Sequence, residues 1–477
     1  MAGAGRTAAD RAGAVDCRAR DADAPGLYAT GGGGAEPDTG EIHRPRRPCA
    51  DGAVLRLPRG VRAVTGDRAG LRLTELDCVH LRLDSAGHPM HWMLALRLEP
   101  GAPITVDRLR ARVAARAGAH ALYGLCLPER PRRRPAFAAA VDPAVRVRHT
   151  AVPDHSGLLR LIEQRMATAL PRGVPPWDIT LVDEADRGGQ TVLLRVHHCL
   201  SDGLAAPGFA ALVVDTATAH DYDRFVTAQR FPFKRALTWR TCTEVPRQYR
   251  AARPLRRAGR VLPFPPADCA RQVAEFSIPI RTLRQHAADA RGSSTEYLLA
   301  AAAAAYRQLI PGTDRDGLRV MVPVTLDAAA RHTGNATVSA FLAVDPPGPG
   351  ITDQVRVVRE RLAAIDPVDQ GRALASAGAD LQYLPWRAQT RLMARMVRDT
   401  CRLSVSVTPG FAMRRTIFGH SVDATVPFSP LMADELMVTA LILRDRLTVG
   451  VVADPKVLPC AVGDFAERLR ALVLSSV

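Results

Sequence analysis

Hydrophobic and polar positions follow regular patterns in two long stretches of the chain, which are preceded and separated by stretches without such patterns. Residues 1–68 are rich in Gly, Ala, Arg and Asp and show no sustained hydrophobic period, which is typical of a disordered tail or a mis-called start. We predict an N-terminal domain over 69–224, a linker rich in Pro and Arg over 225–270, and a C-terminal domain over 271–477.

Short apolar runs alternate with segments of helical period in both predicted domains. The predicted strands are His91–Leu98, Val145–Val152, Trp177–Val182, Thr191–Val196, Leu318–Val324, Val338–Val344, Leu403–Val407, Leu436–Leu443 and Leu447–Val452. The predicted helices are Val106–Arg116, Ser156–Ala169, Ile280–Ala290, Ser294–Leu309, Asp353–Ala364, Trp386–Arg402 and Phe465–Val473, with a further helix after Gly203 and a short one capped by Thr74. This interleaving of strands and helices predicts an α/β or α+β fold in two halves.

The chain carries an excess of basic residues, with 64 Lys+Arg against 48 Asp+Glu, a formal net charge of +16 and a pI near 10.2. Such a charge attracts nucleic acid, an anionic membrane or phosphate-bearing substrates. Only Lys234 and Lys456 are lysines, and we attribute this preference for arginine to a GC-rich coding sequence rather than to a binding site.

Arginines recur at helical spacing along the predicted helix Trp386–Arg402, at Arg387, Arg391, Arg395, Arg398 and Arg402. An ordinary surface helix that packs its apolar face on the core is the simpler interpretation, and a helix lying on an anionic membrane is the alternative. The Arg-rich stretch Arg247–Arg260 has the same two interpretations, as a solvated linker or as a contact with a membrane or with the phosphates of CoA.

Cysteine usage and hydropathy bear on the compartment. The nine cysteines are scattered and include no CxxC pair, which argues against a disulfide scaffold or a zinc ribbon and fits a reducing compartment. We find neither a run of about 18 apolar residues nor the apolar core of a secretory signal. We therefore predict a cytoplasmic protein, with peripheral contact at the inner face of the plasma membrane as a further expectation.

The sharpest feature of the sequence is the motif HHCLSDG over residues 197–203, which follows the predicted strand Thr191–Val196. Successive side chains of an extended strand point to opposite faces, so one histidine can face a substrate while its neighbour packs behind it. The same alternation makes the two histidines a poor metal chelate, and we predict no metal site. Imidazole titrates near neutrality and can take a proton from a hydroxyl that attacks an acyl carbonyl, so a general base is the better use.

The motif and its surroundings resemble the bacterial wax ester synthase/diacylglycerol acyltransferases, which belong to the superfamily of chloramphenicol acetyltransferase-like and peptide-condensation enzymes that share HHxxxDG. The resemblance runs from about Leu73 to the C-terminus. The segments that carry it are Leu73–Asp77, His88–His91, Pro175–Asp178, Val322–Thr325, Gly334-Asn335, Val338-Ser339, Ser404–Gly410 and Val426–Leu431.

The resemblance implies two chloramphenicol acetyltransferase-like domains with an active-site tunnel at their interface. It implies that His198 is the general base towards an acceptor alcohol, which attacks an acyl-CoA thioester directly, and that His197, Asp202 and Gly203 support the catalytic loop. Substrate or tunnel positions are expected at Trp177, Asn335, Ser406 and Thr408. Acyl-CoA is then a co-substrate, and no separate cofactor is expected.

The resemblance also implies the substrates and partners. We expect an O-acyltransferase that makes triacylglycerol from diacylglycerol or wax ester from a fatty alcohol, with peripheral contact to an anionic membrane or lipid droplet. We do not expect nucleic acid as a partner, because the sequence shows no nucleic-acid-binding motif besides its positive charge. Two alternatives stay open, a condensation-type acyltransferase that acts on a secondary metabolite and a non-catalytic homologue that binds lipid or an anionic polymer.

Several positions depart from the family's pattern. They are Thr408 for Asn, Phe411 for Pro, Thr295-Glu296 for Asn-Asp, Asp327 for Arg, and Ala169-Leu170-Pro171, which lacks the acid of the family's PLD stretch. His198, Asp202 and Gly203 are all present, so acyl transfer is supported. The departures bear on the choice of substrate and on the rate.

Overall fold

The computed structural model describes residues 73–85, 87–132, 135–137, 146–218, 221, 269–310, 318–325, 335–344, 350–364, 381–397, 401–410, 415–432, 436–456 and 458–475. The predicted extension over 1–68, nearly all of the predicted linker over 225–270, and with it Arg247–Arg260, lie outside the described residues. The predicted domain limits therefore stay predictions.

Helices and strands interleave along the described chain, as the sequence predicted. The α-helices are α1 (Glu75–Leu83), α2 (Val106–Gly118), α3 (His155–Ala167), α4 (Pro207–Ala210), α5 (Ile280–Asp289), α6 (Ser294–Leu309), α7 (Ile351–Ala364), α8 (Trp386–Val397) and α9 (Val462–Leu474). The strands are β1 (His91–Leu98), β2 (Val147–Val152), β3 (Trp177–Glu184), β4 (Gly189–His197), β5 (Gln272–Pro279), β6 (Leu318–Thr325), β7 (Thr337–Val344), β8 (Leu403–Pro409), β9 (Thr416–Ile417), β10 (His420–Phe428), β11 (Leu436–Leu443) and β12 (Arg446–Ala453).

The described strands form two six-stranded mixed sheets, in the orders β2-β3-β4-β1-β10-β9 and β5-β12-β11-β8-β6-β7. In the first sheet β2 and β3 are parallel and the other neighbours are antiparallel. Helices α5, α6, α7 and α9 contribute to the apolar core on the second sheet. The predicted α/β class is confirmed.

Local signals explain where two of the helices begin. Thr74 caps α1 in a capping box with Asp77, which confirms the cap predicted from the sequence. Ser293 and Glu296 form a second capping box at the start of α6. One of the departures from the family's pattern, Glu296, thus has a structural role in this chain.

The strand that leads to the HHxxxDG motif lies inside the first sheet. Every residue of β4 is buried, and β1 and β3 pair with its two edges. A strand buried on both faces has a nearly continuous apolar run, which is the pattern of Thr191–Val196 in the sequence. The motif is therefore attached to a fully buried strand inside the sheet.

Three strands, β5, β10 and the two-residue β9, were not predicted from the sequence. Polar residues such as Glu275 interrupt the apolar positions of β5, and β10 contains Pro427. Proline is tolerated in β10 because β9 pairs only with Ser421 and His420, which leaves β1 as the paired neighbour beside Pro427. The second half of the chain thereby contributes β9 and β10 to the first sheet.

The helix predicted over Trp386–Arg402 is shorter in the structure. The described helix α8 ends at Val397, and Arg398 lies outside the described residues. Arg402 is not helical, and its backbone N–H donates to the carbonyl of Arg319 at 3.2 Å. Within the described ranges, no helix combines the length and the apolar character that crossing a membrane requires.

Candidate active site

The end of β4 places two adjacent histidines between the segments that lead into β3 and β1. The N–H of His197 donates to the carbonyl of Pro176, and the N–H of His198 donates to the carbonyl of Met90, each at 2.8 Å. The backbone is thus fixed on both sides where the motif begins. Strand β4 ends at His197 and a turn begins at His198, so the two imidazoles lie in different surroundings.

The side chain of His197 is buried, and other groups of the protein hold its ring in place. Its Nδ1 accepts a hydrogen bond from the Cys199 N–H at 3.1 Å, and its Nε2 lies 3.4 Å from Oδ1 of Asp84. Burial alone would raise the pKa of Asp84, but His197, Arg172 and the Met90 N–H together hold that pKa below its usual value. Asp84 is therefore ionised and fixes the ring of His197.

His198 points into a cavity and is half-buried. Its Nδ1 is buried without a hydrogen-bond partner, so Nε2 is the nitrogen that a ligand in the cavity can reach. Burial lowers the pKa of His198, and Asp202 raises it by a smaller amount. The ring is therefore neutral at pH 7, which is the form that can accept a proton.

Asp202 ties the catalytic loop to the second sheet. Its Oδ1 accepts hydrogen bonds from the N–H groups of Leu204 and Ala205, both at 3.0 Å. Its Oδ2 accepts from the Ala336 N–H at 3.0 Å and from the Thr337 hydroxyl at 2.8 Å. The carboxylate thus acts on His198 through its charge and through the position of the loop.

Asn335 connects the same loop to helix α1. Its Nδ2 donates to the carbonyl of His198 at 2.8 Å and to Oδ1 of Asp77 at 3.0 Å. The other oxygen of Asp77 accepts the Thr74 N–H in the α1 capping box. Asn335 was expected at a substrate or tunnel position, but it is buried and does not line the cavity. It positions the backbone of His198 instead.

Gly203 allows the second sheet to approach the loop closely. A Cβ at this position would lie 3.4 Å from the hydroxyl oxygen of Thr408, so any larger side chain would fill the space between them. Gly203, Thr408 and Ser406 all line the cavity. Ser406 and Thr408 therefore lie where the tunnel positions were expected.

Trp177 was expected at the same kind of position, and the structure places it elsewhere. It is buried in the core of the first sheet, where its Nε1 donates to the carbonyl of Tyr123 at 2.8 Å. The next residue, Asp178, forms a buried ion pair with Arg195, whose Nε lies 3.1 Å from Oδ1. The Pro-Pro-Trp-Asp segment thus stabilises the sheet, and the motif match alone could not distinguish this from substrate contact.

The cavity, including its open mouth, measures about 1610 Å³. Both sheets and helix α8 supply its mainly apolar walls, among them Trp92, Met93, Leu94, Met321, Phe341, Met393, Phe428, Met432, Met437 and Leu441. Methionines recur in this lining, and their flexible thioether side chains adapt to ligands of different shape. An active-site cavity between the two halves was predicted from the resemblance, and the structure confirms it.

One polar residue of the cavity wall was missed in the sequence. His80 of α1 stacks on the ring of His198, with ring centroids 3.8 Å apart and an angle of 19° between the planes. The available signal was its spacing of four residues from Leu76, which puts both on the same face of the helix. Among the described residues, no three His, Cys, Asp or Glu side chains are grouped as metal ligands would be.

Two family models match the chain, the wax ester synthase/diacylglycerol acyltransferase catalytic domain over residues 73–306 and the WS/DGAT C-terminal domain over residues 370–472. The chain belongs to the wax ester synthase/diacylglycerol acyltransferase family. It is therefore an enzyme of the acyltransferase class, as the motif and its surroundings predicted.

Individual relatives agree with this assignment. A probable diacylglycerol O-acyltransferase of Mycobacterium tuberculosis is 26% identical over 348 residues, which cover 66% of this chain and 74% of the relative. The structure of the wax ester synthase/diacylglycerol acyltransferase from Marinobacter aquaeolei VT8 matches with a TM-score of 0.61 and 18% identity, over 84% of this chain and 98% of that chain.

A structure from the wider superfamily matches as well. The starter condensation domain of rhizomide synthetase, solved as a variant in complex with C8-CoA, has a TM-score of 0.53 and 15% identity, over 86% of this chain and 96% of that chain. At these identities both structural likenesses concern the fold. They confirm the predicted chloramphenicol acetyltransferase-like architecture.

Proposed function

We propose that this acyltransferase moves a long-chain acyl group from acyl-CoA to the hydroxyl of diacylglycerol or of a fatty alcohol, with His198 as the general base. The observation that carries the proposal is a neutral imidazole in the wall of a large apolar cavity. The names of the relatives, diacylglycerol O-acyltransferase and wax ester synthase, support these acceptors. The bound C8-CoA of the rhizomide synthetase domain is consistent with an acyl-CoA donor on this fold.

The proposed reaction proceeds without an acyl-enzyme. The acceptor hydroxyl donates its proton to Nε2 of His198 while its oxygen attacks the thioester carbonyl. The C–S bond of the tetrahedral intermediate then breaks, and the CoA sulfur takes the proton from the His198 imidazolium. Because the two substrates and His198 account for every bond and proton, the proposal includes no separate cofactor.

Positioning supplies a large part of the proposed rate enhancement. Two substrates held in one cavity react as if at a very high effective concentration, and a general base contributes a further factor of about 10² to 10⁴. Asp202 and Asn335 contribute by fixing the loop and the His198 carbonyl from two sides. Both are positioning residues in this scheme, as His197 is through Asp84.

We also propose peripheral contact with an anionic membrane or lipid droplet through helix α8. Arg387, Arg391 and Arg395 are exposed along one side of the helix, and Tyr383 just before it is 54% exposed. The opposite side contributes Met393 to the cavity. A basic helix face next to an aromatic residue is suited to binding an anionic lipid surface. The same helix, α8, also forms part of the active-site wall.

The proposed function is tested with a panel of acceptors. Purified protein with radiolabelled palmitoyl-CoA is given 1,2-dioleoylglycerol or hexadecanol, and ester and free CoA are measured together. We expect one CoA released for each ester formed. Ester formation only from a donor loaded on a carrier protein would select the condensation-type alternative, and ligand binding without turnover would select the non-catalytic one.

A further inference from the structure

The imidazole of His80 has no role in the reaction described above, although it lies directly against the general base. It is 6% exposed, lines the cavity and stacks nearly parallel on His198. Helix α1 holds it there, because the capping box at Thr74 and the bond from Asn335 to Asp77 fix the helix against the catalytic loop. The position of the ring is therefore set by the fold.

The nitrogens of this ring have no partner among the described residues. The Nδ1 of His80 is buried without a hydrogen bond, and its ring stacks on that of His198. Burial, and then the neighbouring His198 and His197, lower the pKa of His80 well below its usual value. A neutral imidazole offers one N–H donor and one acceptor. A buried polar group left without a partner is destabilising, and a polar group of a ligand can offset that cost.

We propose that His80 binds the second polar group of the acceptor, the ester carbonyl next to the free hydroxyl of a diacylglycerol, while His198 binds that hydroxyl. This inference rests on the proposed function. The ring centroids are 3.8 Å apart, so groups bound by the two rings are separated by about one ring spacing. In a diacylglycerol four atoms, namely two glycerol carbons, the ester oxygen and the carbonyl carbon, separate the hydroxyl oxygen from the carbonyl oxygen of the neighbouring ester. Rotation about the bonds between them can bring the two oxygens to that spacing.

The consequence is a preference between acceptors. A fatty alcohol has a single polar group, so it reaches His198 and leaves the N–H of His80 without a partner. A site built to hydrogen-bond a substrate group discriminates against the analogue that lacks the group, because its own polar atoms stay unpaired. His80 is thus proposed as a specificity-determining residue that favours diacylglycerol over a simple alcohol.

The test compares kcat/KM for 1,2-dioleoylglycerol with kcat/KM for hexadecanol, with palmitoyl-CoA as donor. His80→Phe keeps a flat ring on His198 and removes both nitrogens. His80→Gln keeps a side-chain N–H donor. His149→Phe is the matched control, since it makes the same exchange of ring at an exposed position of β2, away from the cavity. Melting temperatures of all variants show that they are folded.

We expect His80→Phe to lower the ratio of the two kcat/KM values about tenfold, the effect of one lost hydrogen bond of about 1.4 kcal/mol. His80→Gln is expected to keep the ratio within about threefold of the native value, and His149→Phe within about twofold. A folded His80→Phe variant whose ratio is unchanged, because both acceptors are affected equally, would overturn the inference. Native protein that esterifies neither acceptor would instead refute the proposed function, and the inference with it.

Discussion

Two adjacent histidines have different roles because the first ends strand β4 and the second begins the turn that follows it. His197 is held by the Cys199 N–H and lies 3.4 Å from the Asp84 carboxylate, so its ring is fixed inside the protein. His198 lines the cavity, and its Nδ1 is buried without a hydrogen bond. At the residue scale, the motif therefore consists of one reactive ring and a set of groups that hold its backbone.

The pKa of His198 sets the expected pH dependence. Its neutral form is the base, so kcat/KM should rise as the pH rises through that pKa and stay level above it. Burial lowers the pKa, Asp202 raises it in part, and the neighbouring His197 lowers it further, while His80 packs on the other face of the ring. We expect the midpoint of the rise below about pH 6.5, the ordinary value for histidine. A pH–rate profile checks this, and a midpoint above 7 would contradict it.

The sequence predicted the reactive residue but not all of its surroundings. HHxxxDG is contiguous, so its spacing is visible without a structure. The hydrogen bond from Asn335 to Asp77 joins residues 258 positions apart, and no local pattern marks such a pair. Trp177 was expected to line the tunnel because its segment matches the family, but it lies in the core. A match to a family segment does not distinguish a core residue from a tunnel residue.

At the scale of elements, the two sheets meet closely where β12 crosses β10. A Cβ at Gly450 of β12 would lie 1.9 Å from the carbonyl oxygen of Pro427 in β10. The hydroxyl of Thr448, two residues earlier, donates to the carbonyl of Thr425 in β10. This contact joins a strand of the second sheet to a strand of the first, next to residues that line the cavity.

Gly450→Ala should therefore separate the sheets. A methyl group that overlaps a backbone carbonyl forces the strands apart, and we expect a loss of about 1–3 kcal/mol in the free energy of unfolding. Gly463→Ala is the matched control, because nothing lies within 4 Å of a Cβ at that position in α9. The control should range from no change to about 1 kcal/mol of stabilisation. Chemical denaturation measures both, and equal stabilities of the two variants would refute the assigned contact.

Elements with clear hydrophobic patterns were predicted well, and those with mixed patterns were not. The strand His91–Leu98 and the helix Ser294–Leu309 have the predicted limits, because each is buried along nearly its whole length. The missed β9 is only two residues long. The missed strands β5 and β10 carry polar positions, and β10 also carries Pro427. Their place in the sheets depends on distant partners, Leu94 of β1 in the case of Pro427, which the local sequence does not encode.

At the scale of the whole molecule, the two halves are interlocked around the cavity. Strand β10 comes from the second half of the chain and pairs with β1 in the first sheet. The side chain of Glu163 on α3 accepts a hydrogen bond from the Val273 N–H of β5 at 3.1 Å. This bond joins a helix of the first half of the chain to a strand of the second sheet. Asp202 adds the bonds to Ala336 and Thr337. The site is therefore a property of the assembled chain rather than of either half.

The net charge of +16 is proposed to favour binding to an anionic membrane, and the exposed arginines of α8 allow a test of this role. Changing Arg387, Arg391 and Arg395 together to Gln should weaken binding to vesicles that contain phosphatidylglycerol, by about 1 kcal/mol for each arginine near the surface. The same three positions changed to Lys keep the charge and should keep the binding. Vesicle flotation measures both variants. Equal binding of the Gln and native proteins would show that α8 is an ordinary surface helix.

The central claim is that His198 is the general base, and removing its imidazole tests this most directly. Transfer from palmitoyl-CoA is measured for the native protein, for His198→Ala, and for His149→Ala, which removes a histidine from the exposed β2. We expect His198→Ala to lose at least about 10²-fold in rate while its melting temperature stays close to the native value, and His149→Ala to remain near the native rate. A folded His198→Ala variant that keeps its rate within a factor of about ten would contradict the proposed mechanism.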